Sequence, residues 1–177
     1  KLSLELGGHA PVLVFADADF DQAVEGALVA KVRNTGQSCI AANRIYVERS
    51  IADRFIEDLV ERTRKLKVGG GLEPDVDIGP LIDQAALDHA LGQIEQAKQA
   101  GARVLCGGRR REGGTGYFLE PTVLADVPPD VDCMREESFA PLAPVTVFDD
   151  EQQAIEQANR TRYGLAAYAF TRDLSRA

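Results

Sequence analysis

The 177 residues are 45% apolar, enough for one domain with a hydrophobic core and a squeeze for two. A formal charge of −8, with basic residues scattered except at Arg109-Arg110-Arg111, argues against a nucleic-acid footprint. No apolar run is long enough to span a bilayer, no basic-then-apolar leader opens the chain, and Cys39, Cys106 and Cys133 sit at no metal-ligand spacing, so the expectation is a soluble, cytoplasmic protein with reduced thiols and no metal.

The chain starts at Lys1 and enters at once the dense run Leu2-Ser3-Leu4-Glu5-Leu6-Gly7-Gly8, an abrupt opening that predicts a truncated or excised piece of a longer protein. Apolar runs then alternate with segments of helical period, the pattern of βα units that build an α/β fold with a largely parallel sheet flanked by helices. Pro11 to Phe15 reads as a buried strand. Asp19 caps a helix with Phe20, Ala23, Val24, Ala27 and Leu28 on one face, fading near Asn34 and Gly36, and Cys39 follows its end. Arg44 to Val47 is a short strand, and Ser50-Ile51-Ala52-Asp53 resembles a capping box for a second helix with Phe55, Ile56, Leu59, Val60 and Leu66 inward, broken by Gly69-Gly70-Gly71. After a loop from Pro74 to Pro80, a third helix runs to about Ala100 on Leu87, Ala90, Leu91, Ile94 and Ala97, with Gly101 as its cap. Arg103 to Cys106 is strand-like, and Gly107 to Gly116 reads as a solvated turn rather than a phosphate loop. Tyr117 to Val123 and Pro144 to Phe148 are further strands, Glu151 to Asn159 a short helix, and Leu165 to Phe170 a last strand.

Three stretches carry candidate chemistry. In Gly36-Gln37-Ser38-Cys39 a thiol sits beyond a helix end among small and polar residues, where partial exposure suits a nucleophile; a buried core thiol is the competing reading. Glu5, between Leu4 and Leu6, is expected on a strand inside apolar neighbours, the desolvated setting that makes a carboxylate a useful general base, against the alternative of a solvent-facing residue on an edge strand. Glu136-Glu137-Ser138-Phe139-Ala140-Pro141 pairs two carboxylates with an aromatic ring, fit to accept hydrogen bonds from ribose hydroxyls or equally to be an acidic surface loop.

In order and spacing these stretches resemble the motifs of the aldehyde dehydrogenase superfamily: Leu4-Glu5-Leu6-Gly7-Gly8 its glutamate motif, Asn34 to Cys39 its cysteine motif, and Glu136 to Pro141 its nicotinamide-ribose motif. Ile78-Gly79-Pro80-Leu81, Gly116-Tyr117-Phe118 with Pro121-Thr122, and Asn159 with Tyr163-Gly164-Leu165 and Phe170-Thr171 extend the resemblance over the whole chain. It implies that Cys39 attacks an aldehyde, that Glu5 activates the hydrolytic water, and that Glu137, with Phe139 beside it, holds the nicotinamide ribose of NADP or NAD. It also implies an oxyanion site formed by the Cys39 backbone N–H and an asparagine outside this chain. The family's dinucleotide-binding segment would precede residue 1 and its oligomerisation strand would follow Ala177, in a homo-oligomeric parent; the isolated piece is expected to be inactive.

Arg33, six residues before Cys39, and the run Phe139-Ala140-Pro141-Leu142-Ala143-Pro144 resemble the succinate-semialdehyde dehydrogenase group, which implies an aldehyde substrate with a distal carboxylate held by the Arg33 fork. A solvated cation at a helix C-terminus is the competing reading of Arg33. Ala140 in place of a usual glycine, His9 in place of a frequent lysine, and Ala41 where some members carry a second cysteine depart from the pattern. A cysteine–histidine hydrolase is disfavoured because no third orienting group is evident around Cys39.

Overall fold

The computed structural model describes residues 1–112 and 116–177. Its elements are, in chain order, β1 (Ala10–Val14), α1 (Phe20–Val32), β2 (Ala42–Glu48), α2 (Arg49–Lys65), α3 (Gln84–Gln99), β3 (Arg103–Cys106), β4 (Thr122–Ala125), α4 (Asp132–Arg135), β5 (Leu142–Phe148), α5 (Glu151–Asn159) and β6 (Tyr168–Phe170). Six strands form one sheet in the order β3-β4-β5-β2-β1-β6, parallel except where β3 meets β4, so the expected α/β class is present.

Successive side chains of a strand leave on opposite faces, and both faces of this sheet are covered. Val12, Val14, Ile45, Val47 and Val145 pack against Ala23, Val24 and Ala27 of α1 and Phe55 and Leu59 of α2. On the other face Phe15, Tyr46, Leu124 and Phe148 meet Leu87, Ala90 and Ile94 of α3, Met134 of α4 and Ala154 of α5. With helices on both sides β2 is buried almost throughout, which is why the central strands read as continuous apolar runs. Asp19, Asp83 and Asp150 start α1, α3 and α5 by accepting the N–H groups of Gln22, Ala86 and Gln153 at 3.2, 2.8 and 2.9 Å.

Several readings differ from expectation. The segment from Tyr117 to Pro121 is not a strand: Leu119 forms only an isolated bridge with Arg110, and pairing begins at Thr122, after a proline that lacks the N–H a ladder requires. The last strand is three residues, Tyr168–Phe170, and cannot start at Leu165, whose φ of 101° is incompatible with extended backbone. α2 begins at Arg49, ahead of the anticipated capping box, since β2 runs directly into it and the Glu48 carboxylate is committed to the Ala16 N–H at 2.8 Å and the Ser50 hydroxyl at 3.2 Å. Of the turn from Gly107 to Gly116, residues 113–115 lie outside the described residues; within the described part Arg111 is half-buried, its guanidinium near the Phe118 ring and donating to the Val68 carbonyl. Among the described residues no helix is long and apolar enough to cross a membrane, and no cluster of three metal-ligating side chains occurs.

Candidate active site

Strands β5, β2 and β1 are adjacent and parallel, so the segments that lead into them must emerge side by side, one strand spacing apart. Those segments are residues 137–141, 36–41 and 7–9, and they touch. The Gly8 N–H donates to Glu137 Oε1 at 3.2 Å, and Gly8 lies so close to Cys39 that a β-carbon there would fall 1.9 Å from the Cys39 carbonyl oxygen. A β-carbon on Gly36 would fall 2.2 Å from the Ala140 carbonyl oxygen. Residues as far apart in sequence as Gly8 and Glu137, separated by 129 positions, thus meet at the amino ends of three strands.

The loop carrying Cys39 has an unusual backbone. α1 ends at Val32, and a tight 3-10 turn follows in which Asn34, Thr35 and Gly36 are all left-handed, at φ 52°, 61° and 75°. For a β-branched threonine this conformation costs on the order of 1–2 kcal/mol, so neighbours must hold it. They do: Asn34 Nδ2 donates to the Gln37 carbonyl at 2.8 Å, and the Gly79 N–H donates to Thr35 Oγ1 at 3.0 Å. Gln37 adds a two-way clamp, its Nε2 on the Pro80 carbonyl at 3.2 Å and its Oε1 accepting the Ile82 N–H at 2.9 Å. The stretch Ile78-Gly79-Pro80-Leu81 is therefore the brace of the cysteine loop. On the other side the Tyr168 hydroxyl donates to the Ile40 carbonyl at 2.7 Å. α1 points its C-terminal, electronegative end toward this loop, so its dipole offers no cationic field to Cys39.

The predicted site residues fare differently. Cys39 is half-buried, whereas Cys133 is fully buried and its thiol is pushed up to about 12 by burial; burial also raises Cys106. Glu137 is half-buried on Gly8, and Phe139, at φ 46°, leaves 41% of its surface exposed. The adjacent Glu136 turns elsewhere, to Arg162 at 2.6 Å and the Tyr163 hydroxyl at 3.0 Å. Arg33 is exposed, and among the described residues its side chain has neither an ion pair nor a hydrogen bond. With Val29, Ser38, Ile40, Tyr168 and Phe170 it lines a cavity of about 300 Å³ beside the cysteine loop. Two larger cavities, of about 550 and 750 Å³, lie against α2 and the β3–β4 edge; Cys106 lines the smaller of the two, and neither includes Glu5, Arg33, Cys39, Glu137 or Phe139.

Glu5 requires a correction. It lies in an exposed segment outside the sheet, and the leucines on either side, Leu4 and Leu6, are 67% and 68% exposed. The expectation of a desolvated carboxylate on a strand fails because, among the described residues, no strand pairs with residues 1–6 and no apolar layer covers them; alternation alone cannot withdraw a group from water.

The residues alone did not point to a buried polar core behind the loop. Lys31, 1% exposed, donates to Asn43 Oδ1 at 2.6 Å and to Ser138 Oγ at 3.2 Å, and Ser138 Oγ donates to the same Asn43 oxygen at 3.0 Å. Asn43 Nδ2 reaches the Gly8 carbonyl at 3.4 Å. Arg44, also 1% exposed, grips the His9 carbonyl with Nε at 3.0 Å and Nη2 at 2.7 Å. Burial lowers Lys31 to about 7 and His9 to about 4, the latter helped by Arg44. One signal for Lys31 was available: it continues the stripe of Val24, Ala27 and Leu28 at helical spacing, on the face that α1 buries.

A model of the aldehyde dehydrogenase family matches residues 1–177. The chain is 53% identical over 176 residues to the NADP(+) succinate-semialdehyde dehydrogenase of Escherichia coli strain K12, a match covering 99% of this chain and 36% of that protein. To a glutarate-semialdehyde dehydrogenase of Pseudomonas putida it is 51% identical over 176 residues, again covering 99% of this chain and 36% of the relative. The crystal structure of succinate-semialdehyde dehydrogenase from Burkholderia pseudomallei is similar with a TM-score of 0.96 at 47% identity, over 99% of this chain and 36% of that one. The chain spans about a third of the length of these relatives. With its whole length matched and the cysteine, glycine-pair and Glu137 stretches brought together at the amino ends of three adjacent strands, the chain belongs to the aldehyde dehydrogenase family.

Proposed function

We propose that the full-length protein containing residues 1–177, which form its catalytic part, oxidises succinate semialdehyde to succinate with NADP+ or NAD+. The observation that carries this reading is the meeting of Cys39, Gly7-Gly8 and Glu137. The Cys39 thiolate bonds to the aldehyde carbon, giving a thiohemiacetal, and loss of hydride from that carbon leaves a thioester. A nicotinamide cofactor, when bound, supplies the hydride acceptor. Glu5 takes a proton from the water that attacks the thioester, releasing succinate and the Cys39 thiolate. Glu5 precedes Gly8 by three residues, so the backbone keeps its Cα within about 11 Å of that of Gly8, the residue packed on Cys39.

Glu137 and Phe139 fit the cofactor by their chemistry. One Glu137 oxygen is committed to Gly8, the missing β-carbon of Gly7 leaves room 2.7 Å from the other, and the exposed Phe139 ring offers an apolar face. Arg33 holds the distal carboxylate, a role favoured by its guanidinium, unpaired among the described residues, on the cavity shared with Ser38 and Ile40. Arg33→Ala in the full-length protein is expected to lower kcat/KM for succinate semialdehyde on the order of 10²-fold, and for an uncharged aldehyde of similar length only slightly. Equal losses on both substrates would sink the substrate assignment. The similarity to a glutarate-semialdehyde dehydrogenase favours a second substrate, one methylene longer, which the same arginine serves with modest discrimination.

A further inference from the structure

A buried lysine with two neutral partners calls for a reason, because an ammonium withdrawn from water is costly unless its bonds hold something in place. Lys31 sits on α1, Asn43 on β2 and Ser138 in the loop ahead of β5. Ser138 directly follows Glu137, and Asn43 also reaches Gly8, the residue whose N–H binds Glu137. The charged and titratable groups facing the Lys31 ammonium are Glu137 from that loop, Cys133 from α4 and His9 from the segment ahead of β1.

We propose that Lys31 is a positioning residue for Glu137: its ammonium ties Asn43 to Ser138 and thereby sets the loop conformation in which the Glu137 carboxylate meets Gly8. The bonds run from helix α1 to strand β2 and then to the loop, so the lysine fastens the acidic loop to the amino ends of the central strands. Because burial brings Lys31 to about 7, the charge that makes these bonds strong is present below that pH and fades above it. Phe139, left-handed at φ 46° immediately after Ser138, is the residue whose strained backbone this anchor retains.

The test is Lys31→Met in the full-length protein, read first by hydrogen exchange. The Gly8 amide, protected through Glu137, is expected to exchange about tenfold faster in the variant, while amides of α2 and α3, remote from the anchor, keep their rates. In the unaltered protein the Gly8 rate, corrected for intrinsic chemistry, rises as pH passes upward through about 7, and the variant shows no such step. The effect on catalysis rests on the reading of Glu137 as the ribose carboxylate: KM for NADP+ rises about tenfold with a much smaller change in kcat. If Lys31→Met does not fold, Ser138→Ala removes only the loop-side partner and is expected to speed Gly8 exchange several-fold. Unchanged Gly8 exchange in a folded variant overturns the proposal. Faster exchange with an unaltered KM for NADP+ upholds the positioning role and overturns the cofactor role of Glu137 instead.

Discussion

Gly8→Ala perturbs the point at which all three stretches meet. The added β-carbon would stand 1.9 Å from the Cys39 carbonyl oxygen and 3.1 Å from its carbonyl carbon. Carbon and oxygen in ordinary contact are about 3.3–3.6 Å apart, so one backbone must retreat by roughly 1.5 Å. Neither is free to do so: Gly8 is buried and bonded to Glu137, and the Cys39 loop is braced by Gly79, Pro80 and Ile82. Overpacking of this kind costs about 1–3 kcal/mol of stability, and a displacement near 1 Å at a reacting group costs about 10²-fold in rate. The expected outcome in the full-length protein is a fall of at least about 10² in kcat/KM with a lowered but cooperative melting transition. Alkylation of Cys39, measured against Cys106 and Cys133, should change rate as well, because the carbonyl that must move belongs to Cys39 itself. A variant with turnover within threefold of the original and an unaltered Cys39 labelling rate would refute the convergence inferred from these contacts.

Two further substitutions probe the fold. Gly92 lies exposed within α3, and a β-carbon added there would meet nothing within 4 Å, so Gly92→Ala is expected to raise stability by roughly 1 kcal/mol without affecting activity, as read by chemical denaturation. His9, 1% exposed with both ring nitrogens unpartnered among the described residues, stays neutral in the fold down to about pH 4. The unfolded chain takes up that proton near pH 6.5, so stability is lost as pH falls from about 6.5 to 4, by about 3 kcal/mol at full amplitude. His9→Phe, which retains the ring contact with Tyr163, is expected to flatten the stability profile in that window; an unchanged slope would show that other groups set the acid limit.

Much of the fold was legible because it depends on near neighbours. The apolar stripes of α1, α2 and α3 repeat at helical spacing, Asp19 stands where its carboxylate can cap, and the central strands are apolar on both faces because helices cover both. The boundaries that moved were those set by a partner elsewhere: Glu48 bonds Ala16 across the sheet and does not cap α2, and pairing of β4 starts only after Pro121. Glu5 misled for a related reason, since an alternating pattern states which residues share a face but not whether anything lies over it.

The sequence by itself determined the α/β class, the thiol at Cys39, and the resemblance that picked out Glu5, Arg33, Glu137 and Phe139. Only the tertiary structure decided that residues 7–9, 36–41 and 137–141 lie side by side, because parallel pairing of β5, β2 and β1 aligns the amino ends of strands far apart in the chain. It alone decided the environment of Lys31, whose position on the helical stripe was visible but whose partners, Asn43 and Ser138, come from 12 and 107 residues away. Periodicity and capping act within a few residues and can be read along the chain; burial and hydrogen-bond partnership depend on which surfaces meet, and that is settled only when the helices close over the sheet.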